Sequence, residues 1–156
     1  MTNWLDEEQQ RAWRSLIALA MRLPAALDTQ LQRDAGLTHF EYFVLAVLSE
    51  APERRLKLSA LAAQANASLS RLSHVVSKLE RNGWVDRQTV RGERGAWALL
   101  TEPGYAKVVD AAPGHVGTVR SLVFETLDAD QVRALTELAE AVVAQLDSGV
   151  AAEGHE

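Results

Sequence analysis

The stretch LSALAAQANASLSRLSHVVSKLERNGWVDRQTVRGERGAWALLT, residues 58–101, decides the fold. Within residues 68–82, apolar side chains recur at intervals of three and four, which gathers them on one face of an α-helix. These side chains are Leu69, Leu72, Val75, Val76 and Leu79. Ser68 is a residue type that caps helix N-termini, and Asn82-Gly83 supplies types that follow a helix end. We therefore predict a helix with one face in a core.

The opposite face of this predicted helix is polar and cationic. Its side chains are Ser70, Arg71, His74, Ser77, Lys78 and Arg81. No carboxylate interrupts this face before Glu80. Hydroxyl, imidazole and guanidinium groups are the donors and acceptors that read base edges in the major groove of DNA. An ordinary solvated helix face is the alternative interpretation.

A second, shorter helix is predicted just upstream. Ser59 is expected to cap it, and its apolar side consists of Leu58, Leu61, Ala62 and Ala65. Only Asn66-Ala67 separates it from the following helix. Two short helices joined this tightly indicate a helix-turn-helix.

A β-hairpin is predicted downstream. Residues 84–90 and 96–100 are rich in β-forming residues, and the loop between them, residues 91–95, contains two glycines and two arginines. A cationic hairpin after a DNA-reading helix is called a wing. Residues 54–57, with three cations, are predicted as a loop or short strand that reaches phosphates or is simply solvated.

At these residues the chain resembles the MarR family of winged helix-turn-helix transcription regulators. The matching pieces are LSALA, SLSRLSHVVSKLERNGWVDR, the wing tip Gly-Glu-Arg-Gly and LTEPG, and the likeness extends to AWR, GLTHFEYFVLAVLSEAP and AAPGHV. Wings of this family commonly carry an Asp two residues before an Arg. Here Arg94 matches that Arg, but Gly92 stands at the Asp position and Glu93 is the nearby carboxylate.

The predicted fold class is mainly α with a small β wing. It comprises a winged helix-turn-helix module at 36–101 plus terminal dimerisation helices at 1–35 and 102–148, with a flexible tail at 149–156. The terminal segments carry long apolar stripes, and a kink or break is expected near Pro113. The resemblance implies that these helices intertwine with those of a second subunit. A monomer in which they fold back on the module is the alternative.

The distribution of charge favours a polyanionic partner for the module. Residues 54–94 contain nine Lys or Arg and three acids, a net charge of +6, whereas the whole chain carries −5, which leaves −11 on the remainder. An acidic body with one basic face directs that face toward nucleic acid. A protein-interaction adaptor with a winged fold, the second hypothesis, does not need this concentration of cations.

The resemblance and the position of each side chain on the helix indicate roles in DNA binding. Ser70, Arg71 and His74 are expected to read bases, because the first turns of a recognition helix lie deepest in the major groove. Phosphate and wing contacts are expected from Ser68, Ser77, Lys78, Arg81, Arg91 and Arg94. The expected partner is a pseudo-palindromic duplex bound by a homodimer, and the expected role is that of a repressor.

The resemblance also implies a small aromatic or anionic effector, bound in a crevice between the dimerisation helices and the winged module. The candidate lining residues are Trp13, Met21, His39, Tyr42, Phe43 and His115. Each of them is alternatively an ordinary core residue, since aromatic side chains at helical spacing usually belong to a core.

Other function classes lack support in the sequence. None of the usual nucleophile, phosphate-loop, dinucleotide or metal-ligand motifs is present, so we expect neither catalysis, nor a metal, nor a cofactor. The absence of cysteine excludes disulfides and thiol-based sensing. The sequence contains no long apolar run and does not begin like a signal peptide, so we expect a cytoplasmic protein with no membrane contact.

Overall fold

The computed structural model describes residues 1–153, with side chains through residue 149. The helices are α1 (Glu7–Ala35), α2 (His39–Glu50), α3 (Leu58–Gln64), α4 (Leu69–Arg81), α5 (Glu102–Leu122) and α6 (Ala129–Glu153), and the strands are β1 (Arg55–Lys57), β2 (Val85–Thr89) and β3 (Ala96–Leu100). Two short 3₁₀ turns occupy Pro52–Arg54 and Phe124–Thr126. The fold is therefore mainly helical with a small sheet, as predicted.

The first two helices are bounded by capping residues. Asp6 and Gln9 form a reciprocal capping box at the start of α1, and Gly36 ends the helix with a left-handed φ of 65°. The Thr38 side chain accepts a hydrogen bond from the Glu41 backbone and caps α2. These caps fix where the chain turns from α1 into α2.

The helix-turn-helix consists of α3 and α4. Asn66, with a φ of 54°, makes the turn between them, and the Ser68 side chain caps α4 by accepting a hydrogen bond from the Arg71 backbone. The expectation that Ser59 caps α3 is wrong. Strand β1 runs directly into α3 at Leu58, so Ser59 lies inside the first turn and the helix start has no side-chain cap.

The three strands form one antiparallel sheet in the order β1-β3-β2. Lys57 lies opposite Trp97 in the first pair, and Val85 lies opposite Leu100 in the second. Residues 55–57 are thus the third strand of the wing sheet. Arg55 and Lys57, which the sequence predicts in a loop or short strand, therefore lie on an edge strand of the wing sheet.

The core of the module contains residues from the helices α1 to α5 and from β2 and β3, and Leu56 of β1 packs against it. Its largest fully buried side chains are Leu31, Leu37, Val44, Leu45, Leu48, Leu61, Leu72, Val76, Leu79 and Val85. Since Leu72, Val76 and Leu79 are all completely buried, one face of α4 is fixed inward. The opposite face of α4 is left at the surface.

The structure divides into two compact units, Met1–Val116 and the residues from Gly117 onward. Of the kink or break expected near Pro113, the break is wrong, because α5 continues through this proline. Ala111 before it and His115 after it both pack in the first unit, and these contacts hold the helix across the missing hydrogen bond.

In the second unit, Asp128 and Gln131 form the capping box that starts α6. The helix α6 extends to Glu153, so it continues past Ser148, where the sequence placed the start of a flexible tail. Residues 154–156 of that tail lie outside the described residues.

Gly104 in the first turn of α5 has no room for a larger side chain. An added Cβ would overlap the Trp84 carbonyl oxygen and lie 2.8 Å from Leu100 Cδ1. Gly104→Ala should therefore lower the free energy of unfolding by about 1–3 kcal/mol, measured by urea denaturation. Gly117→Ala is the matched control, because no atom lies within 4 Å of its added Cβ. Equal destabilisation by both substitutions would contradict this account.

Candidate nucleic-acid interface

The exposed face of α4 carries the three residues predicted to read bases. Ser70, Arg71 and His74 are all exposed, on the side away from the buried leucines and valine of the same helix. Leu69 was predicted to belong to the apolar stripe, but 53% of it is exposed. It lies in the first turn of α4 beside the wing, where the core has already ended. Leu69 thus adds an apolar side chain to the surface next to the predicted base-reading residues.

Arg71 rests on an aromatic ring in the free protein. Its guanidinium carbon lies 4.0 Å from the ring centroid of Phe40 in the first turn of α2. This cation–π contact holds the side chain in place without neutralising its charge. None of the described carboxylates forms an ion pair with Arg71, so its guanidinium keeps its donors for another partner.

Arg71 and His74 also border a cavity of about 560 Å³. Its remaining lining comes from Lys78 and Val75 of α4, Thr38, His39, Phe40 and Glu41 at the start of α2, and Pro24, Ala25 and Asp28 of α1. The cavity lies within the first unit. Two of the predicted base readers therefore share a cavity with His39, which the sequence placed in the effector site.

Ser77 takes part in a contact between α4 and the wing. Arg87 of β2 donates one hydrogen bond to the Ser77 hydroxyl at 3.0 Å and one to the Ser73 carbonyl at 2.9 Å. The Arg87 backbone also donates to Glu80 at 3.0 Å. No role is predicted for Arg87 from the sequence, although it lies in the strand that follows the recognition helix. It ties the wing to the recognition helix.

Lys78 is likewise engaged within the protein. Its Nζ lies 2.6 Å from Oε1 of Glu41, whose side chain is only 4% exposed, while half of the Lys78 side chain remains exposed. Arg81, one turn further along α4, is exposed and forms no ion pair within the described residues. The phosphate roles of Ser77 and Lys78 stay predictions. Of the two cations Lys78 and Arg81, Arg81 is the one without an ion pair among the described residues.

The wing tip is shaped by two glycines. Gly92 and Gly95 have φ values of 86° and 78°, and the Glu93 backbone donates to the Val90 carbonyl at 3.0 Å, which closes a turn over residues 90–93. Gly92 at the third position of such a turn needs a positive φ, which an Asp adopts only with strain. Arg91 and Arg94 on either side are exposed, and neither joins an ion pair among the described residues.

Glu93 anchors the wing tip through β1 and β3 instead of through Arg94. The Trp97 indole donates to its Oε2 at 2.7 Å, and the Lys57 ammonium lies 3.4 Å from the same oxygen. The hydrogen bond from Trp97 is the main reason that the pKa of Glu93 lies below its ordinary value. The carboxylate next to Gly92 thus remains charged and leaves the Arg94 guanidinium free.

Four of the six candidate effector residues meet in one cluster between α2 and α5 of the first unit. The His115 ring lies 4.4 Å from Tyr42 and 6.0 Å from His39, and His39 lies 6.4 Å from Phe43, all between ring centroids. Trp13 and Met21 are 54% and 71% exposed and are absent from this cluster. They lie on the part of α1 that precedes its buried turns.

Burial determines the ionisation of this aromatic cluster. It lowers the pKa of both His39 and His115, and each imidazole is therefore biased toward the neutral form. Asp28 opposes the effect at His39, whereas the neighbouring His39 adds to it at His115. Burial also raises the pKa of Tyr42, which keeps its hydroxyl protonated. The cluster presents neutral aromatic rings.

Neither a metal site nor a membrane span is found in the described part of the chain. No group of three or more His, Asp or Glu side chains is placed to hold a metal ion there. Among the same residues, no helix has both the length and the apolar content needed to cross a membrane.

A helix-turn-helix with an exposed cationic face and an adjoining arginine-tipped wing defines a DNA-binding winged-helix protein. The MarR family model matches residues 37–91. The structure is also similar to Sco3205, a MarR family transcriptional regulator from Streptomyces coelicolor solved in complex with DNA. The identity is 45% and the TM-score 0.90, over 94% of this chain and 92% of that one. The chain belongs to the MarR family of transcriptional regulators.

Two further solved structures support this assignment. AbsC, a MarR family transcriptional regulator from Streptomyces coelicolor, is 32% identical, with a TM-score of 0.88 over 94% of this chain and 99% of that one. The M. tuberculosis transcriptional regulator MOSR, in complex with DNA, is 27% identical, with a TM-score of 0.69 over 85% of this chain and 96% of that one. The search of curated proteins returned no match.

The anchoring of the wing by Trp97 can be tested without DNA. Trp97→Phe removes the indole donor to Glu93 but keeps a ring for Arg55 and Lys57, whose charges lie 4.9 Å and 5.6 Å from its centroid. We expect trypsin to cleave after Arg91 and Arg94 roughly threefold faster, because the tip opens more often.

Trp84→Phe serves as the control for this experiment. The Trp84 indole makes no hydrogen bond within the described residues, so cleavage at the wing tip should stay at the wild-type rate. A wild-type cleavage rate in Trp97→Phe would show that the hydrogen bond from Trp97 to Glu93 does not hold the tip.

Proposed function

We propose that this protein is a dimeric, sequence-specific DNA-binding regulator, a repressor that a small molecule releases from its operator. The observation that carries the proposal is the continuous exposed surface formed by α4 and the wing tip, with unpaired arginines at both ends. Sco3205, which is 45% identical over nearly the whole chain, was solved in complex with DNA, and this supports DNA as the partner.

In this proposal, the first turns of α4 enter the major groove. Ser70, Arg71 and His74 contact base edges, and Arg71 can donate two hydrogen bonds to one guanine. Ser68 and Arg81 face the phosphates at either end of the helix. Arg91 and Arg94 enter or flank the minor groove, where the negative potential attracts guanidinium groups.

The proposal includes a two-fold symmetric dimer formed by the terminal helices. Each of these helices exposes apolar side chains that a second subunit would cover. On α1 these are Trp13, Leu16, Leu19 and Met21, and on α6 they are Leu138, Val142, Val143 and Leu146. A two-fold dimer would place two recognition helices about 34 Å apart on a pseudo-palindromic site.

The proposed effector is a small aromatic or anionic molecule. The cavity of about 560 Å³ below α4 has a suitable size, and it combines the cation Arg71 with the rings of His39, Phe40 and His74. The neighbouring cluster of Tyr42, Phe43 and His115 would extend its aromatic wall. A ligand that held Arg71 inside this cavity would remove a base reader from the DNA and release the operator.

The division of roles between Arg71 and Arg91 is directly testable. Arg71→Ala should weaken binding to the cognate duplex by about 1–3 kcal/mol and relax one base position. Arg91→Ala should weaken binding to every duplex and make the logarithmic salt dependence shallower by about one charge. Fluorescence anisotropy on cognate and scrambled duplexes, each titrated over a salt series, measures both effects.

The wing tip supplies the control for this comparison. Arg94→Ala should behave like Arg91→Ala, because both arginines are exposed on the same loop. Equal losses on cognate and scrambled DNA for Arg71→Ala would exclude it as a base reader.

A further inference from the structure

Glu41 is a buried carboxylate that contacts the recognition helix α4. The residue is 3% exposed and lies in the first turn of α2, below the exposed face of α4. Its Oε1 accepts a hydrogen bond from Lys78 at 2.6 Å, and its Oε2 has no hydrogen-bond partner among the described residues. An ionised carboxylate in this position depends on a cation for compensation. Lys78 is the described cation that provides it.

A second contact joins the same two helix segments. Phe40, adjacent to Glu41, carries the guanidinium of Arg71 on its ring. Arg71 and Lys78 are seven residues apart on α4, which is two helical turns, or about 10 Å along the axis. Two contacts at that separation restrain both the rotation and the tilt of α4 relative to α2. The face that α4 presents to DNA depends on that rotation.

We propose that Lys78 is a positioning residue, paired with Glu41 to set the orientation of α4, and that it does not bind phosphate. The inference rests on the proposed DNA-binding function and refines it, since the sequence alone groups Lys78 with the phosphate contacts. A cation neutralised by a buried carboxylate at 2.6 Å releases few counterions when DNA binds. Arg81, exposed and unpaired among the described residues, remains the phosphate-binding cation of this part of the helix.

A double-mutant cycle with a salt series separates the two roles. Lys78→Met leaves Glu41 buried without a cation and should weaken cognate binding roughly tenfold. Adding Glu41→Met replaces the ion pair with two apolar side chains of similar length, an exchange that proteins often tolerate. The double variant should therefore bind cognate duplex within about threefold of the wild type, with an unchanged salt slope.

Arg81→Met is the matched control, since it removes a cation from the same helix. It should make the salt slope shallower by about one charge, and adding Glu41→Met should not restore binding. Thermal unfolding of each free variant identifies losses of affinity that come only from unfolded protein. If Lys78→Met is too unstable to be measured, the double variant still gives an answer. It lacks the Glu41 carboxylate whose unpaired charge destabilises the single variant.

Two results would overturn the proposal. One is a double variant as weak as Lys78→Met with a salt slope one charge shallower, which would make Lys78 a phosphate contact. The other is additive effects of the two substitutions on unfolding, which would show that the pair is not coupled. A wild-type protein that binds no duplex would instead contradict the proposed function, and the unfolding cycle would still decide whether the pair is coupled.

Discussion

The burial of one face of α4 is the constraint on which the rest of the structure depends. Leu72, Val76 and Leu79 are completely buried in a core shared with α2, α3 and the sheet. Moving any of them outward would expose a large apolar side chain and leave a cavity, at a cost of about 2–5 kcal/mol. The opposite face, with Ser70, Arg71 and His74, is therefore held at the surface by packing. Specific recognition requires side chains that are fixed in this way.

Ion pairing inside the module reduces the number of cations that can contact DNA. The net charge of +6 over residues 54–94 includes cations that the fold already pairs. Lys57 lies beside Glu93, Arg54 beside Glu102, and Lys78 beside Glu41. Within residues 54–94, the cations without a carboxylate partner among the described residues are Arg71, Arg81, Arg87, Arg91 and Arg94. The paired cations and Arg87, which donates to Ser73 and Ser77, orient the helix and wing. Arg71, Arg81, Arg91 and Arg94 remain available to DNA.

Local sequence patterns predict most of the fold, because caps and periodicity act over a few residues. Ser68 caps the helix α4, at the position that the sequence predicts. The contacts that were missed join residues far apart in sequence. Glu41 and Lys78 are separated by 37 positions, and nothing local marks Glu41 as buried. Ser59 and Leu69 were misjudged because a strand end and the edge of the core, which are tertiary features, decide their surroundings.

The salt dependence of wild-type binding tests the central claim most directly, namely that a two-fold dimer holds duplex DNA through the unpaired cations of α4 and the wing. Three phosphate-binding arginines per subunit, Arg81, Arg91 and Arg94, imply about six phosphates per dimer. The plot of log affinity against log salt should then fall with a slope of about −5. Gel-shift titrations with duplex fragments that flank the gene would measure it. A slope near zero, or no duplex binding at any salt concentration, would contradict the account.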